Sequence, residues 1–428
     1  MNKIVKKAVS AMLVCAMAVS VSACGKSGGT DTSDGGQADP ETTIAETAAA
    51  EKSNWDELDG AQITAAMGMG WNLGNQLEAS SNGTPSETAW GNPEIKKELI
   101  DTVKAQGFNT VRIPVSYLSK IGEAPDYTID AAWLERVREV VDYVVDNDMY
   151  AIINLHGDGY YTVQGGWLLC VDENQTEIKA KYEAVWAQIS EYFKDYDEHL
   201  IFESMNEVFD GTYGNPNPDG YANINDYNRI FTETVRKTGG NNAKRWLLIP
   251  GWNTNIQHTT SDSFVIPEDS LCESDGKRLM ISVHYYDPYN FTLDENLTSL
   301  KTQWGKYAVE NYDNWGQEDY VDSQMQLLNT KFISQGYPVV IGELGAEDRT
   351  YAKENSAGYR RYWCEYVVKA AKANGCVPVY WDNGWNGKNG FGLFNRLTNE
   401  VTQPEIIEAM IRAISAEGDY EIEAPSAE

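Results

Sequence analysis

The stretch LIFESMNEVFDG, residues 200–211, begins as an apolar run of strand length, carries Glu203 in its middle and ends with Asn206 and Glu207 side by side. A buried unpaired carboxylate costs several kcal/mol or takes up a proton instead, so acids in such a run need a reason. A second run, PVVIGELG at 338–345, carries Glu343. Two carboxylates meeting at one pocket rim point to glycoside hydrolysis. One protonates the leaving oxygen; the other attacks the anomeric carbon or activates a water, depending on their separation. The acid must stay protonated near neutrality, which a second carboxylate can enforce. The nucleophile must stay ionised, and a nearby cation such as Arg112 would hold it so. Tyr286 can donate a hydrogen bond to it, and Asn206 can grip a sugar hydroxyl. Glu203 lies deeper in its run and reads as a structural partner for Arg112.

The elements that must position these residues are eight short apolar runs: 68–75, 109–116, 149–157, 200–207, 245–252, 279–286, 338–345 and 377–384. Between most of them lie helical patterns with charged faces, at 92–107, 131–148 and 225–240 among others. Strand and helix alternating eight times predict an α/β fold, a single (β/α)8 TIM barrel of parallel strands. An open doubly wound sheet would usually show a glycine-rich phosphate turn after its first strand, and GWNLGN at 70–75 is not one. In a barrel the active site lies at the C-terminal strand ends. Strand side chains alternate between faces. In LMISVHYY this sets Ser282, His284 and Tyr286 inward, with Ile281, Val283 and Tyr285 against the helices. The same parity turns Arg112, Asn154 and His156 inward, puts Glu203 and Glu207 on one face, and turns Glu343 inward with Val339 and Ile341. Arg112, His156, Glu207, His284, Tyr286, Glu343 and Trp381 should therefore converge on one rim.

The 428 residues carry 34 basic and 64 acidic side chains, a net charge of -30. That balance argues against nucleic acid and anionic membrane surfaces as partners and suits a secreted protein acting on a neutral polymer. With 4 His and no paired ligands at strand ends, no metal is expected, and no organic cofactor is implied. Cys170, Cys272, Cys364 and Cys376 lack CxxC spacing and read as free buried thiols. At the N-terminus, Lys3, Lys6 and Lys7 precede an apolar stretch at 8–23 that ends in VSAC. This resembles a bacterial lipoprotein signal over 1–23, with Cys24 lipidated and the protein held on the outer face of the cell membrane by that anchor alone. Residues 24–53 read as a flexible acidic, glycine-rich tether, 54–416 as the catalytic barrel, and 417–428 as an acidic tail. Oligomeric state is not legible.

The motifs GWNLGN, ETAWGNP, VRIPVS, NLHGD, FESMNE, SVHYYDP, VVIGELGA, YWDNG and GLFNR, in this order, resemble glycoside hydrolase family 5. GWNLGN, the stretch TVRKTGGNNAKRWLLIPGWNTNI and GLFNR look closest to the subfamily often numbered four, chiefly endo-β-1,4-glucanases with frequent activity on xyloglucan and mixed-linkage glucan. The resemblance implies a retaining endo-β-1,4-glucanase acting on internal bonds of plant β-glucans. It assigns the acid/base to Glu207, the nucleophile to Glu343 and supporting roles to Arg112, His156, Asn206, His284 and Tyr286. It makes Trp381 the floor of the sugar site. Asn75, in GWNLGN, is a further candidate for substrate binding. Each of the other tryptophans reads first as core or loop packing; Trp252 and Trp385 are the best candidates for sugar platforms, because they directly follow strands. Two departures stand out: Val208 replaces the proline usual after the acid/base, and the residues following His156 differ from common forms. Other activities of the same family, on xyloglucan, lichenan, xylan or mannan, remain open, as does a glycan-binding protein that lost its chemistry.

Overall fold

The computed structural model describes residues 58–425. The expectations for the signal segment, Cys24, the tether and residues 54–57 lie outside the described residues. Within them, eight parallel strands close into one barrel in chain order. They are β1 Gly70–Leu73, β2 Thr110–Ile113, β3 Tyr150–Asn154, β4 Leu200–Glu203, β5 Leu247–Asn255, β6 Leu279–Tyr285, β7 Val339–Leu344 and β8 Cys376–Asp382. Seven begin inside one of the eight apolar runs, and β8 begins one residue before the last of them. The single (β/α)8 barrel expected from those runs is the fold.

The longer described helices are α1 Gly60–Met67, α2 Lys97–Ala105, α3 Ala131–Val145, α4 Gln175–Tyr192, α5 Pro218–Lys237, α6 Glu318–Lys331, α7 Ser356–Ala373 and α8 Pro404–Ser415. After β5 the chain makes a single turn, Ile256–Thr259, where a full helix would stand. Helix α5 starts well before the expected 225: Pro218 occupies its first turn, and the Asn217 side chain accepts the Gly220 N–H at 3.0 Å. Proline suits that position because its missing N–H would have had no partner there. Helix α1 precedes the barrel, opened by a capping box between Asp59 and Gln62. Its Ile63 and Met67 pack with Ile152, Ile201, Leu248, Met280, Val340, Val377 and Val379, and so close the N-terminal end of the barrel. None of the described helices is long and apolar enough to cross a membrane. Past α8 the chain lies back on α7: the Tyr420 hydroxyl donates to Glu365 at 3.0 Å and Ile422 is buried.

Two apolar layers share the strands. Val111, Ile113, Ile153, Leu155, Ile281, Val283 and Tyr285 belong to the outer layer beneath the helices, as alternation predicts. The expectation for β7 needs correction. Val339 and Ile341 lie in the outer layer, and Val340 faces in. Glu343 has the parity of Val339, yet it is brought to the site by a bulge. Val283 pairs with Ile341 and His284 with Glu343, so Gly342 is an extra residue on β7; the pairing with β8 shifts by the same amount. One inserted residue reverses the phase of everything after it. The shared face of Glu203 and Glu207 is likewise not a strand property. β4 ends at Glu203, and Glu207 stands in the turn beyond with φ +41°.

Candidate active site

The strand ends build the site around one buried cation. Arg112, on β2, donates through Nε to Glu203 at 2.7 Å and through Nη1 to Glu343 at 2.9 Å and to Asn72 at 3.0 Å. Its Nη2 donates to Asn206 Oδ1 at 2.6 Å. Burial alone would weaken its hold on its proton, but the charges of Glu203 and Glu343 outweigh that and keep it firmly charged. Glu203 is itself saturated, accepting from Ser282 at 2.7 Å and Asn154 at 2.9 Å as well. It is a structural counter-ion, below the reacting edge.

Above it stand Glu207 and Glu343. The Tyr286 hydroxyl donates to Glu343 Oε2 at 3.0 Å. His284 Nδ1 lies 2.7 Å from Glu207 Oε1 and 3.6 Å from Glu343 Oε2. A carboxylate oxygen of each glutamate lies within 4.8 Å of the other. His156 stacks parallel to Trp381, ring centres 6.0 Å apart, and its Nε2 meets the Asn206 amide at 3.3 Å. Burial, then the charge of Arg112, pushes His156 well below the usual imidazole range, so it serves as a neutral wall. Trp381 is half-buried, and Gly74 lets it stay: a Cβ there would lie 2.8 Å from the indole.

Burial raises the pKa of both glutamates. At Glu207 the hydrogen bonds of His284 and Tyr160 and the charges of His284 and Arg112 together outweigh burial and the net direction is down; at Glu343 burial prevails over His284 and Arg112, and the net direction is up. These directions are opposite to what an acid at Glu207 and a nucleophile at Glu343 need. The pull on Glu207 comes from the hydrogen bonds of His284 and Tyr160 and from the charges of His284 and Arg112. The charge of Arg112 on Glu343 is permanent. Arg112 and Tyr286 bond to Glu343, whereas Glu207 is held by His284 and Tyr160.

Glu207, His284 and Glu343 also offer three ligand atoms within 4.8 Å of one another. A metal there would meet the Arg112 guanidinium across Glu343, which opposes it. Asp197, Glu198 and His199 form a similar group immediately before β4, at the far end of the barrel.

Residues 74–387 match the family model described as Cellulase (glycosyl hydrolase family 5). Endoglucanase A of Paenibacillus barcinonensis is 54% identical over 364 residues, 83% of this chain and 90% of that protein. The chain belongs to glycosyl hydrolase family 5. Among solved structures, a family 5 xyloglucanase from Paenibacillus pabuli in complex with ligand matches with TM-score 0.81 at 55% identity, over 83% of this chain and 100% of that one. A GH5-4 broad specificity endoglucanase from Bacteroides salanitronis matches with TM-score 0.79 at 40% identity, over 87% of this chain and 100% of that one.

In this family 5 glycoside hydrolase, Arg112, His156, Asn206, Glu207, His284, Tyr286, Glu343 and Trp381 come together as the sequence suggested. Trp252 does not join them. It is 2% exposed and stacks on Tyr221 of α5 at 5.8 Å, so it is core; following a strand does not expose a side chain when a helix covers it. Trp385 is 63% exposed in the loop after β8, held by its indole N–H on Lys388 O at 3.0 Å. Asn75 lies in the loop after β1, its backbone N–H on Glu78 and its carbonyl accepting from Asn92 at 2.9 Å. Two residues went unread. Asn72 faces in between Trp71 and Leu73, a position that alternation in GWNLGN would have given. Tyr160, whose hydroxyl donates to Glu207 at 2.9 Å, comes from a loop with no periodicity to read. The four cysteines named above are free thiols, Cys272 only partly buried.

Proposed function

We propose that this protein is a retaining endo-β-1,4-glucanase cutting internal bonds of plant β-glucans, with Glu343 as nucleophile and Glu207 as acid/base. The observation that carries the reading is the spacing of the two carboxylates, with oxygens within 4.8 Å and, of the two, Glu343 held by Arg112 and Tyr286. Retaining enzymes hold these groups about 5–5.5 Å apart, whereas inverting ones leave room for a water at about 6.5–9.5 Å.

In the first step a Glu343 oxygen bonds to the anomeric carbon. The glycosidic bond breaks toward its oxygen, which takes the proton of Glu207 and leaves as an alcohol. In the second, Glu207 removes a proton from water, the water oxygen bonds to the same carbon, and Glu343 departs as a carboxylate. Two inversions leave the configuration unchanged. NMR of the first product released from a soluble β-glucan should show the β-anomer; an α-anomer would overturn the mechanism.

The likeness to a xyloglucanase at 55% identity favours xyloglucan within the β-glucans. Product analysis on xyloglucan, carboxymethylcellulose, mixed-linkage glucan, xylan and glucomannan decides the preference. The sequence VSAC adds a lipid anchor at Cys24 and a place on the outer cell surface. Cys24→Ala should release the protein into the medium or leave its precursor unprocessed, and wild-type protein found wholly soluble and uncleaved would refute the anchor.

A further inference from the structure

We propose that Tyr160 is a positioning residue for Glu207, its hydroxyl fixing the acid/base carboxyl relative to Asn206 and so to the leaving oxygen. This rests on the reading of Glu207 as acid/base.

The direction of each proton in the cluster is forced from one end. Arg112 can only donate, so Asn206 must turn its Oδ1 to the guanidinium at 2.6 Å. That leaves the Asn206 Nδ2 to donate to the Tyr160 oxygen at 2.7 Å. The single hydroxyl proton of Tyr160 is then free for Glu207 Oε2 at 2.9 Å. Glu207 is thus held on both oxygens, by His284 on Oε1 and by Tyr160 on Oε2. It needs both, because it stands in a turn at φ +41° and not on a strand.

The loop that delivers Tyr160 is built to hold it there. The buried carboxylate of Asp158 accepts the N–H groups of Tyr117 at 2.9 Å and Leu118 at 2.8 Å and the Trp167 indole at 2.7 Å. Its carbonyl accepts the N–H groups of Trp167 and Leu168, both at 2.8 Å. The turn is thereby tied at both ends around Tyr160. A Cβ on Gly159 would lie 2.7 Å from Val208 Cγ2. The residue after Glu207 and the loop carrying Tyr160 are therefore fitted to each other. The two departures from the family pattern, at Val208 and after His156, are one feature.

A hydroxyl donating to a carboxylate favours its ionised form. Removing it raises the pKa of Glu207 and moves the alkaline limb of kcat/KM, where the acid loses its proton, to higher pH. The other charged or titratable groups facing Glu207 are His284, Glu343, Arg112, Tyr213 and Tyr286. None of them is altered by Tyr160→Phe.

The test is the pH profile of Tyr160→Phe on a soluble β-glucan, with Tm measured alongside. The expected result is an alkaline limb about one pH unit higher, an unmoved acidic limb, and kcat on polysaccharide down about tenfold. A smaller loss is expected on an activated aryl glycoside, which needs little acid help. Should the phenylalanine variant fold poorly, 3-fluorotyrosine at 160, a stronger donor of the same shape, should move the alkaline limb to lower pH. An alkaline limb unmoved in a folded variant overturns the proposal. The reading of Glu207 is tested separately by Glu207→Ala with azide and an activated glycoside. A β-glycosyl azide together with an unmoved limb means that only the role of Tyr160 fails, and no azide adduct means that the acid/base assignment itself fails.

Discussion

The Arg112 guanidinium donates to the Glu343 carboxylate at 2.9 Å, with Arg112 fully buried and Glu343 6% exposed. The same guanidinium holds Glu203 at 2.7 Å. One cation therefore serves a permanent structural acid below and a reacting acid above. One guanidinium shared by two carboxylates leaves a single cation for both.

Arg112→Met should leave Glu203 and Glu343 buried without their cation and cost about 3–5 kcal/mol in denaturant unfolding. Activity should fall together with a rise of the acidic limb of kcat/KM, because Glu343 loses the charge that keeps it ionised. Adding Glu203→Gln should recover part of the stability and none of the activity. An additive double mutant would show that the two side chains are not coupled.

Glu207→Gln should stop turnover of polysaccharide, with a loss of about 10²–10⁴-fold, yet spare the first step on an activated aryl glycoside. A covalent glycosyl-enzyme should then accumulate, visible by mass spectrometry at Glu343. Glu343→Gln should form no intermediate on either substrate. An adduct found on Glu207 would reverse the two roles.

Gly342→Ala tests the bulge. The added methyl would lie 3.3 Å from His284 Nε2 and 3.4 Å from Ser282 Oγ, tight enough to push the ring by a few tenths of an ångström. Since His284 orients Glu207, kcat should drop about tenfold, with about 1 kcal/mol or less lost in stability. Unchanged kcat would mean that the bulge serves only to turn Glu343 inward.

The shares of stability held by Glu78 and Glu347 should fall as pH rises from about 5 to about 8, against the opposite contribution of the buried neutral His156. Burial pushes Glu78 from 4.5 up to about 7, against the pull of backbone N–H groups and Arg396. Burial likewise pushes Glu347 up to about 8. A carboxyl raised in the folded state binds more protons there than in the unfolded chain. Its share of stability is therefore intact below the unfolded value and is lost as pH climbs toward the folded one. For Glu78 the full loss is about 3 kcal/mol. In Glu78→Gln the decline of Tm with pH should be shallower, whichever way its absolute value moves. An identical slope would assign the effect elsewhere.

The inward set on β2, β3 and β6 was legible because alternation along a strand is a local rule: Arg112, His156, His284 and Tyr286 each follow from their neighbours' polarity. Glu343 was found for a partly wrong reason. Its own strand carries no mark of which neighbour pairs with which residue, and the bulge at Gly342 exists only as a mismatch against both β6 and β8. Trp252 was misplaced because Tyr221, which covers it, lies in the part of α5 that precedes the expected helix start.

The sequence by itself determined the barrel, its two acids and the residues that surround them, since hydrophobic period and strand-end polarity are properties of short stretches of chain. Only the tertiary structure decided how those acids are held. The Arg112 to Asn206 to Tyr160 to Glu207 chain joins β2, the turn after β4 and the loop after β3, and each hydrogen bond in it spans 46 residues or more. Such contacts are fixed by barrel closure and by what a buried donor must find nearby, and neither is written in the spacing of residues along one strand.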